Sequence, residues 1–270
     1  MQGVSRASQA QVREALQSAL DSGADWARLS DDLFGFVAAL DSSHMLRRAL
    51  GDPSRSPEGK RALAQRLLQG KAEPATVEIV ATAVGQRWSS EKDLPAALEE
   101  AAIETQVAMA QAGGRADDVE EQLFRFERTV ARTPELREAL ADRRLPVERK
   151  LQVVQQLLAD KAQPETIRLA RQAIAEPRGR RFAQTIEHYL DVAERRRKQL
   201  SATVTVATPL TPEQHARLAA ALQRIYSSPV LLNVVLDASV IGGIRVQIGD
   251  EVVDGTIVRR LDEARRLMGS

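Results

Sequence analysis

Two stretches of the chain align on each other at a fixed distance of 90 residues: LFGFVAALDSSHMLRRAL from Leu33 with LFRFERTVARTPELREAL from Leu123, and RLLQGKAEPATVEIV from Arg66 with QLLADKAQPETIRLA from Gln156. An internal repeat of this length requires two copies of one supersecondary unit, stacked or sharing an element so that each buries its apolar face. The phase slips by one residue between Pro57 and Pro146 and returns at Lys60 and Lys150, which predicts a single insertion or deletion in a loop. Extended backwards, the same alignment pairs VREALQSALDSG from Val12 with AIETQVAMAQAGG from Ala102, matching Glu14 to Glu104 and Gly23 to Gly113. The helix expected around Leu94 to Gln111 therefore closes the first unit and opens the second.

Within each unit the pattern is helical. Aromatics are only 3% of the 270 residues, and Ala, Leu, Gln, Arg and Glu recur at helical spacing, so the cores must close through small aliphatic side chains. Ser43 before HMLRRAL and Thr133 with Pro134 before ELREAL read as helix N-termini. Pro74 and Pro164 each open a helix after a short polar loop. On those helices Val77, Val80, Ala81 and Val84, and likewise Ile167, Ala170 and Ile174, return every three or four residues. Such stripes are first of all core, and their outer edges offer a groove to a partner helix.

From Ser201 the period changes. SATVTVATPL alternates as a strand, TPEQHARLAAALQRIY is a helix capped by Thr211, and VLLNVVLD predicts a second, largely buried strand. Ile244 to Ile248 and Glu251 to Val253 then form two short strands about the turn residues Gly249 and Asp250. Asp254, Gly255 and Thr256 stop that hairpin ahead of a final amphipathic helix with Ile257, Leu261, Ala264 and Leu267 on one face. The expected fold is mainly α: two tandem helical bundles sharing a connecting helix, residues 1–111 and 94–200, then a small α/β domain, residues 201–270.

Chemistry is scarce in this pattern. There is no cysteine, so disulfides and thiolate metal sites are excluded. His44, His188 and His215 fall on separate helices with no HExxH spacing, no GxSxG occurs, and Gly59 with Lys60 lacks the rest of a phosphate loop. GGIRVQIG lacks the GxGxxG spacing of a dinucleotide site, and Gly242 and Gly243 instead suit a backbone conformation that a Cβ would obstruct. Carboxylates sit in mixed-charge helical runs such as ALEEAAIE, the ordinary pattern of solvated faces. The net charge is +1, and the basic clusters PRGRR and ERRRK are too short to make the sustained basic face that nucleic acid needs. No apolar signal core opens the chain, and no run approaches the ~20 apolar residues of a membrane span. No catalytic residue, cofactor, metal or small-molecule substrate is expected, and a binding role remains. A helical adaptor, or an enzyme with a helical cap, would share the bundles; only the C-terminal third separates them.

That third, read as strand, helix, VVLDASVIGGIRVQIGDEVVDGTI and a terminal helix, closely resembles the C-terminal part of the ATP synthase delta subunit family, whose mitochondrial relative is the oligomycin-sensitivity-conferring protein. The motif residues are Asp237, Ile241, Gly242, Gly243, Gly249, Asp254 and Gly255. LFRF, LREAL, KLQVVQQLL and TIEHYLDVAERRRKQL resemble the family's helical bundle more weakly, while the preceding bundle is an addition that duplication explains, as in long members from high-GC Gram-positive bacteria. The resemblance implies a non-catalytic stator that ties the catalytic head of an F-type ATP synthase to its peripheral stalk, at the cytoplasmic face of the bacterial membrane. It further implies that a groove between a bundle's first and fifth helices grips the N-terminal helix of an alpha subunit. Carried onto this chain, that groove involves Val12, Leu16 and Ala19 with Val77, Val80 and Val84 in the first bundle, and Val107 and Ala108 with Ile167, Ala170 and Ile174 in the second. Two alpha subunits would then be engaged, and Leu261, Ala264 and Leu267 would meet the b-type stalk subunit.

Overall fold

The computed structural model describes residues 3–142, 144–199, 201–226, 230–237, 243–248 and 251–254. It divides into two units, Met1–Ala193 and Glu194–Ser270. Among the described residues eleven helices precede the first strand: α1 Gly3–Asp21, α2 Trp26–Ser42, α3 His44–Gly51, α4 Pro57–Leu68, α5 Pro74–Gly85, α6 Asp93–Ala112, α7 Ala116–Arg132, α8 Pro134–Ala141, α9 Val147–Leu158, α10 Pro164–Ala175 and α11 Phe182–Gln199. Helices α2 to α5 recur as α7 to α10 with every start and end displaced by 90 residues.

The repetition reaches single hydrogen bonds. Asp32 Oδ2 accepts from the Glu73 amide at 2.7 Å and from Thr76 Oγ1 at 3.4 Å. Ninety residues on, Gln122 Oε1 accepts from the Gln163 amide and Thr166 Oγ1, both at 2.8 Å. In each bundle this side chain on the second helix holds the start of the fifth, where orphan amides need acceptors. The α4–α5 and α9–α10 turns each require one residue in the left-handed region, Gly70 at φ 71° and Asp160 at φ 59°.

The expected one-residue slip near Pro57 is absent from the backbone. Asp52 accepts from the Ser54 amide at 2.8 Å and Asp142 from the Arg144 amide at 2.9 Å, so the two loops make the same turn at equal length. Pro57 is the first residue of α4 while Pro146 is the N-cap of α9. Proline suits either place because neither amide has an intrahelical acceptor, so its one-residue move mimics an indel. The paired caps also differ: Ser43 accepts from the Leu46 amide, whereas Thr133 takes the same extended backbone without a side-chain cap bond, Pro134 having already set the first turn.

The shared helix α6 carries the unit. Fourteen of its 20 residues are buried, because α1, α2 and α5 lie against it on one side and α7 and α10 on the other. One continuous apolar core runs from Val12 and Leu16 of α1 through Leu98 and Ile103 of α6 to Ile186 and Tyr189 of α11. A second cluster lies inside the second bundle: Phe126 and Val130 of α7, Val154 and Leu158 of α9, and Ala170 and Ile174 of α10, with Phe126 set edge-on to Phe182 at 5.6 Å.

In the second unit, β1 Ser201–Val206, α12 Pro212–Tyr226, β2 Leu231–Leu236, β3 Ile244–Ile248 and β4 Glu251–Asp254 build a four-stranded sheet in the order β2-β1-β3-β4. β1 pairs parallel with β2, α12 making the crossover, and antiparallel with β3; β3 and β4 are antiparallel. Thr211 closes a capping box, accepting from the Gln214 amide while its own amide donates to Gln214 Oε1. Ala202, Val204, Val206, Leu222, Val246 and Ile248 form the core. The reading of VLLNVVLD as a buried strand is overturned: β2 lies at the sheet edge, and Val235 and Leu236 are 47% and 58% exposed. An edge strand has only one neighbour to cover it, which apolar composition alone does not reveal.

Candidate functional site

Helices α1 and α5 pack against each other. Val12, Leu16, Ala19, Val80 and Val84 are buried in the long apolar core and Val77 is half-buried, so these residues are packing positions, and Ala19 among them also borders the open cleft beside the contact. That cleft, of about 330 Å³, lies where the end of α1 meets the start of α5. Ala15, Ser18, Ala19, Ser22, Gly23 and Ala24 line one wall and Glu73, Pro74, Ala75 and Glu78 the other. Small side chains let a third backbone approach closely, and Glu73 and Glu78 make the rim acidic. Glu73 also caps its own helix, accepting from the Ala75 amide at 2.6 Å. The apolar periodicity of α5 marks its buried face; the serines and glutamates at the mouth of the cleft carry no periodic signal.

The second bundle treats the corresponding place differently. Val107 and Ala108 are buried in the long core with α1 and α2, while Ala170 and Ile174, with half-buried Ile167, turn into the separate cluster with α7 and α9. The two halves of the expected second groove thus serve different cores; Leu169 and Ala173 are the α10 residues that join the core of α6. At the positions of Ala75 and Asp25 stand Glu165 and Arg115. Arg115 Nη2 donates to Glu165 Oε1 at 2.5 Å, and Glu165 is only 2% exposed. Glu165 Oε2 accepts no hydrogen bond. At the position of Glu78 stands Arg168, which donates to Asp31 of α2 at 2.5 Å and lies 4.8 Å over the Phe34 ring.

A second set of charges joins the bundles below this point. Arg178, in the left-handed region at φ 52°, donates to Asp41 of α2 at 2.5 Å and to Glu99 of α6 at 2.6 Å. Arg180 also pairs with Glu99, and His188 stands 3.8 Å from it. Burial, reinforced by the Glu99 charge, pushes the Tyr189 hydroxyl well above its ordinary range. Burial, then the neighbouring Asp41, raises the Glu176 carboxyl, with Arg178 opposing. These charges brace α2 and α6 against the segment that leads into α11. Among the described residues no group of His, Asp and Glu is placed to hold a metal ion.

In the second unit, the Asp237 amide donates to the Val206 carbonyl at 3.0 Å, fixing the end of β2 to β1. Gly243 takes φ 89°, a left-handed angle that a Cβ disfavours, just before β3. Asp254 ends β4 opposite Arg245. Ile241, Gly242, Gly249, Gly255, Leu261, Ala264 and Leu267 lie outside the described residues. Among the described residues no helix is long and apolar enough to cross a membrane.

The family model for the ATP synthase delta (OSCP) subunit matches residues 104–268, from within α6 to near the C-terminus. ATP synthase subunit delta of Kineococcus radiotolerans is 44% identical over 265 residues, covering 98% of this chain and 96% of that one. The subunit of the same name from Thermobifida fusca is 42% identical over 266 residues, 98% of each chain. Both extend through the first bundle, which the family model does not cover. A chain from the cryo-EM structure of the Toxoplasma gondii mitochondrial ATP synthase hexamer, 18% identical, gives a TM-score of 0.31 over 62% of this chain and 95% of that one, too low to carry a comparison of folds.

Proposed function

The chain belongs to the ATP synthase delta (OSCP) subunit family, and on that premise we propose that its α1–α5 groove grips the N-terminal helix of an alpha subunit while its last residues meet a b-type stalk subunit. The protein is a non-catalytic stator subunit of the F-type ATP synthase, linking the catalytic head to the peripheral stalk. A stator has to hold its partners against rotor torque, which calls for broad interfaces that dissociate slowly rather than for a reacting group.

The observation that carries the alpha-subunit assignment is the small-residue cleft between α1 and α5, with its acidic rim. An amphipathic helix laid there extends the packing of α1 on α5 by one more ridge-and-groove layer. In this reading residues 1–111 are an added head-gripping bundle, residues 94–200 a second bundle sharing α6, and residues 201–270 the stalk-facing domain. The subunit is peripheral, at the cytoplasmic face of the bacterial membrane, without inserting into it.

Calorimetric titration of the full chain with a peptide of the alpha subunit's N-terminal helix tests the assignment. Binding that Ala19→Arg weakens at least tenfold supports it, and unchanged binding removes the groove from consideration. For the stalk, Leu261→Asp with Leu267→Asp abolishes capture of the b-type subunit by a chain of unaltered helicity; capture that persists refutes this end of the reading.

A further inference from the structure

We infer that the duplicated bundles are not two equal grips: the groove of the first bundle accepts a helix, that of the second is closed by the chain's own side chains, and one chain therefore binds one alpha-subunit helix. The inference rests on the reading of the α1–α5 groove given above, and it narrows the expectation of two.

The argument is a position-by-position comparison at the 90-residue spacing. Where the first groove has half-buried Ala15 and exposed Ser18 on α1, the second has Thr105 and Ala108 on α6, both buried. Where the first wall has Ala75, the second has Glu165, a carboxylate 2% exposed that occupies the space a visiting side chain would need. Asp25 caps α2 by accepting from the Arg28 amide at 3.1 Å; its counterpart Arg115 makes no cap and reaches 2.5 Å to Glu165 instead. The first bundle thus spends this loop position on its own helix start, and the second on shutting its groove.

Charge separates the grooves further. The first rim carries Glu73 and Glu78, the second Gln163 and Arg168, so a helix whose basic residues suit the first meets a guanidinium at the second. Arg168 is itself held by Asp31 and stacked on Phe34, both on the first bundle's α2. A helix entering there must separate Arg115 from Glu165 and leave a buried carboxylate unpaired, which weakens binding by roughly 100-fold or more.

The test is the stoichiometry of the full chain titrated with the alpha-subunit N-terminal peptide, read with two exchanged variants. One peptide per chain is expected. Asp25→Arg with Ala75→Glu writes the closing pair into the first bundle and should weaken that site about 100-fold; the glutamate falls in the first turn of α5, where a negative charge favours the helix. Arg115→Asp, Glu165→Ala and Arg168→Glu together write the first bundle's residues into the second and should raise the ratio to two. Two peptides on the unaltered chain overturn the inference and leave the groove reading intact. One peptide whose binding survives Asp25→Arg with Ala75→Glu also overturns it, since the occupied groove is then elsewhere. No binding by any form overturns the groove reading itself. Circular dichroism identifies a variant that has failed to fold, and in that case the unaltered ratio and the remaining variant decide.

Discussion

In the first bundle α5 reads PATVEIVATAVG, with one charged residue; its counterpart α10 reads PETIRLARQAIA, with three. Both helices start after the same turn, receive the same side-chain support from the second helix of their bundle, and have the same length. The backbone geometry came through the duplication even where the supporting residue changed, as Asp32 to Gln122 and Gly70 to Asp160 show, while the side chains along the rest of the helix diverged. α5 stays apolar beside an open cleft, whereas on α10 Glu165 meets Arg115, Arg168 reaches Asp31 of the first bundle and Arg171 donates to Gln155 of α9. Duplicated helices need the same backbone to fold, but the faces that do not set that backbone are free to differ.

The largest expected effect tests whether the bundles are one folding unit. Leu33 and Leu123 are buried counterparts in a single core, so Leu33→Ala and Leu123→Ala should each cost about 2–5 kcal/mol. Both tryptophans, Trp26 and Trp88, lie in the first bundle. If the core is shared, Leu123→Ala lowers the urea midpoint read by tryptophan fluorescence; a midpoint left in place means that the bundles unfold separately.

Arg178→Ala comes next, at about 3 kcal/mol, because it leaves Glu99 and Asp41 short of a partner in a largely buried place while Arg180 remains. The same fluorescence readout should register it, although Arg178 belongs to the second bundle. Asp32→Ala and Gln122→Ala remove matched hydrogen bonds and sharpen the comparison directly. The charged acceptor should be worth about 1.5–3 kcal/mol and the neutral one about 0.5–1.5 kcal/mol. Equal losses in thermal unfolding would mean that the ionisation of Asp32 adds nothing. The smallest effect is at the turns: Asp160→Gly should gain about 0.5 kcal/mol by relieving a left-handed residue, while Gly70→Asp loses a similar amount. A gain at Gly70 would show that the two turns are not equivalent.

Much of this architecture is legible in the chain. Helix starts at Pro74, Pro164 and Thr211 follow from local rules, and the 90-residue spacing predicts the second bundle from the first. What stays hidden is pairing across distance. Arg115 meets Glu165 fifty residues away, and Arg168 and Arg178 each reach aspartates 137 residues back, so no local pattern marks them. The exposure of β2 is hidden for a related reason: the run LLNVVL suits a central strand equally well, and only the order of the sheet places it at the edge. The burial of Val80 and Val84 on α5 follows from periodicity, but the turning of their counterparts Ala170 and Ile174 into a separate core does not.

Because α6 ends one bundle and begins the next, no linker separates them. A load applied at the first bundle passes along and across a helix that is enclosed on both sides, so the joint has almost no compliance of its own. For a part that spends its life holding one machine component still while another spins, elastic give must then come from elsewhere in the assembly.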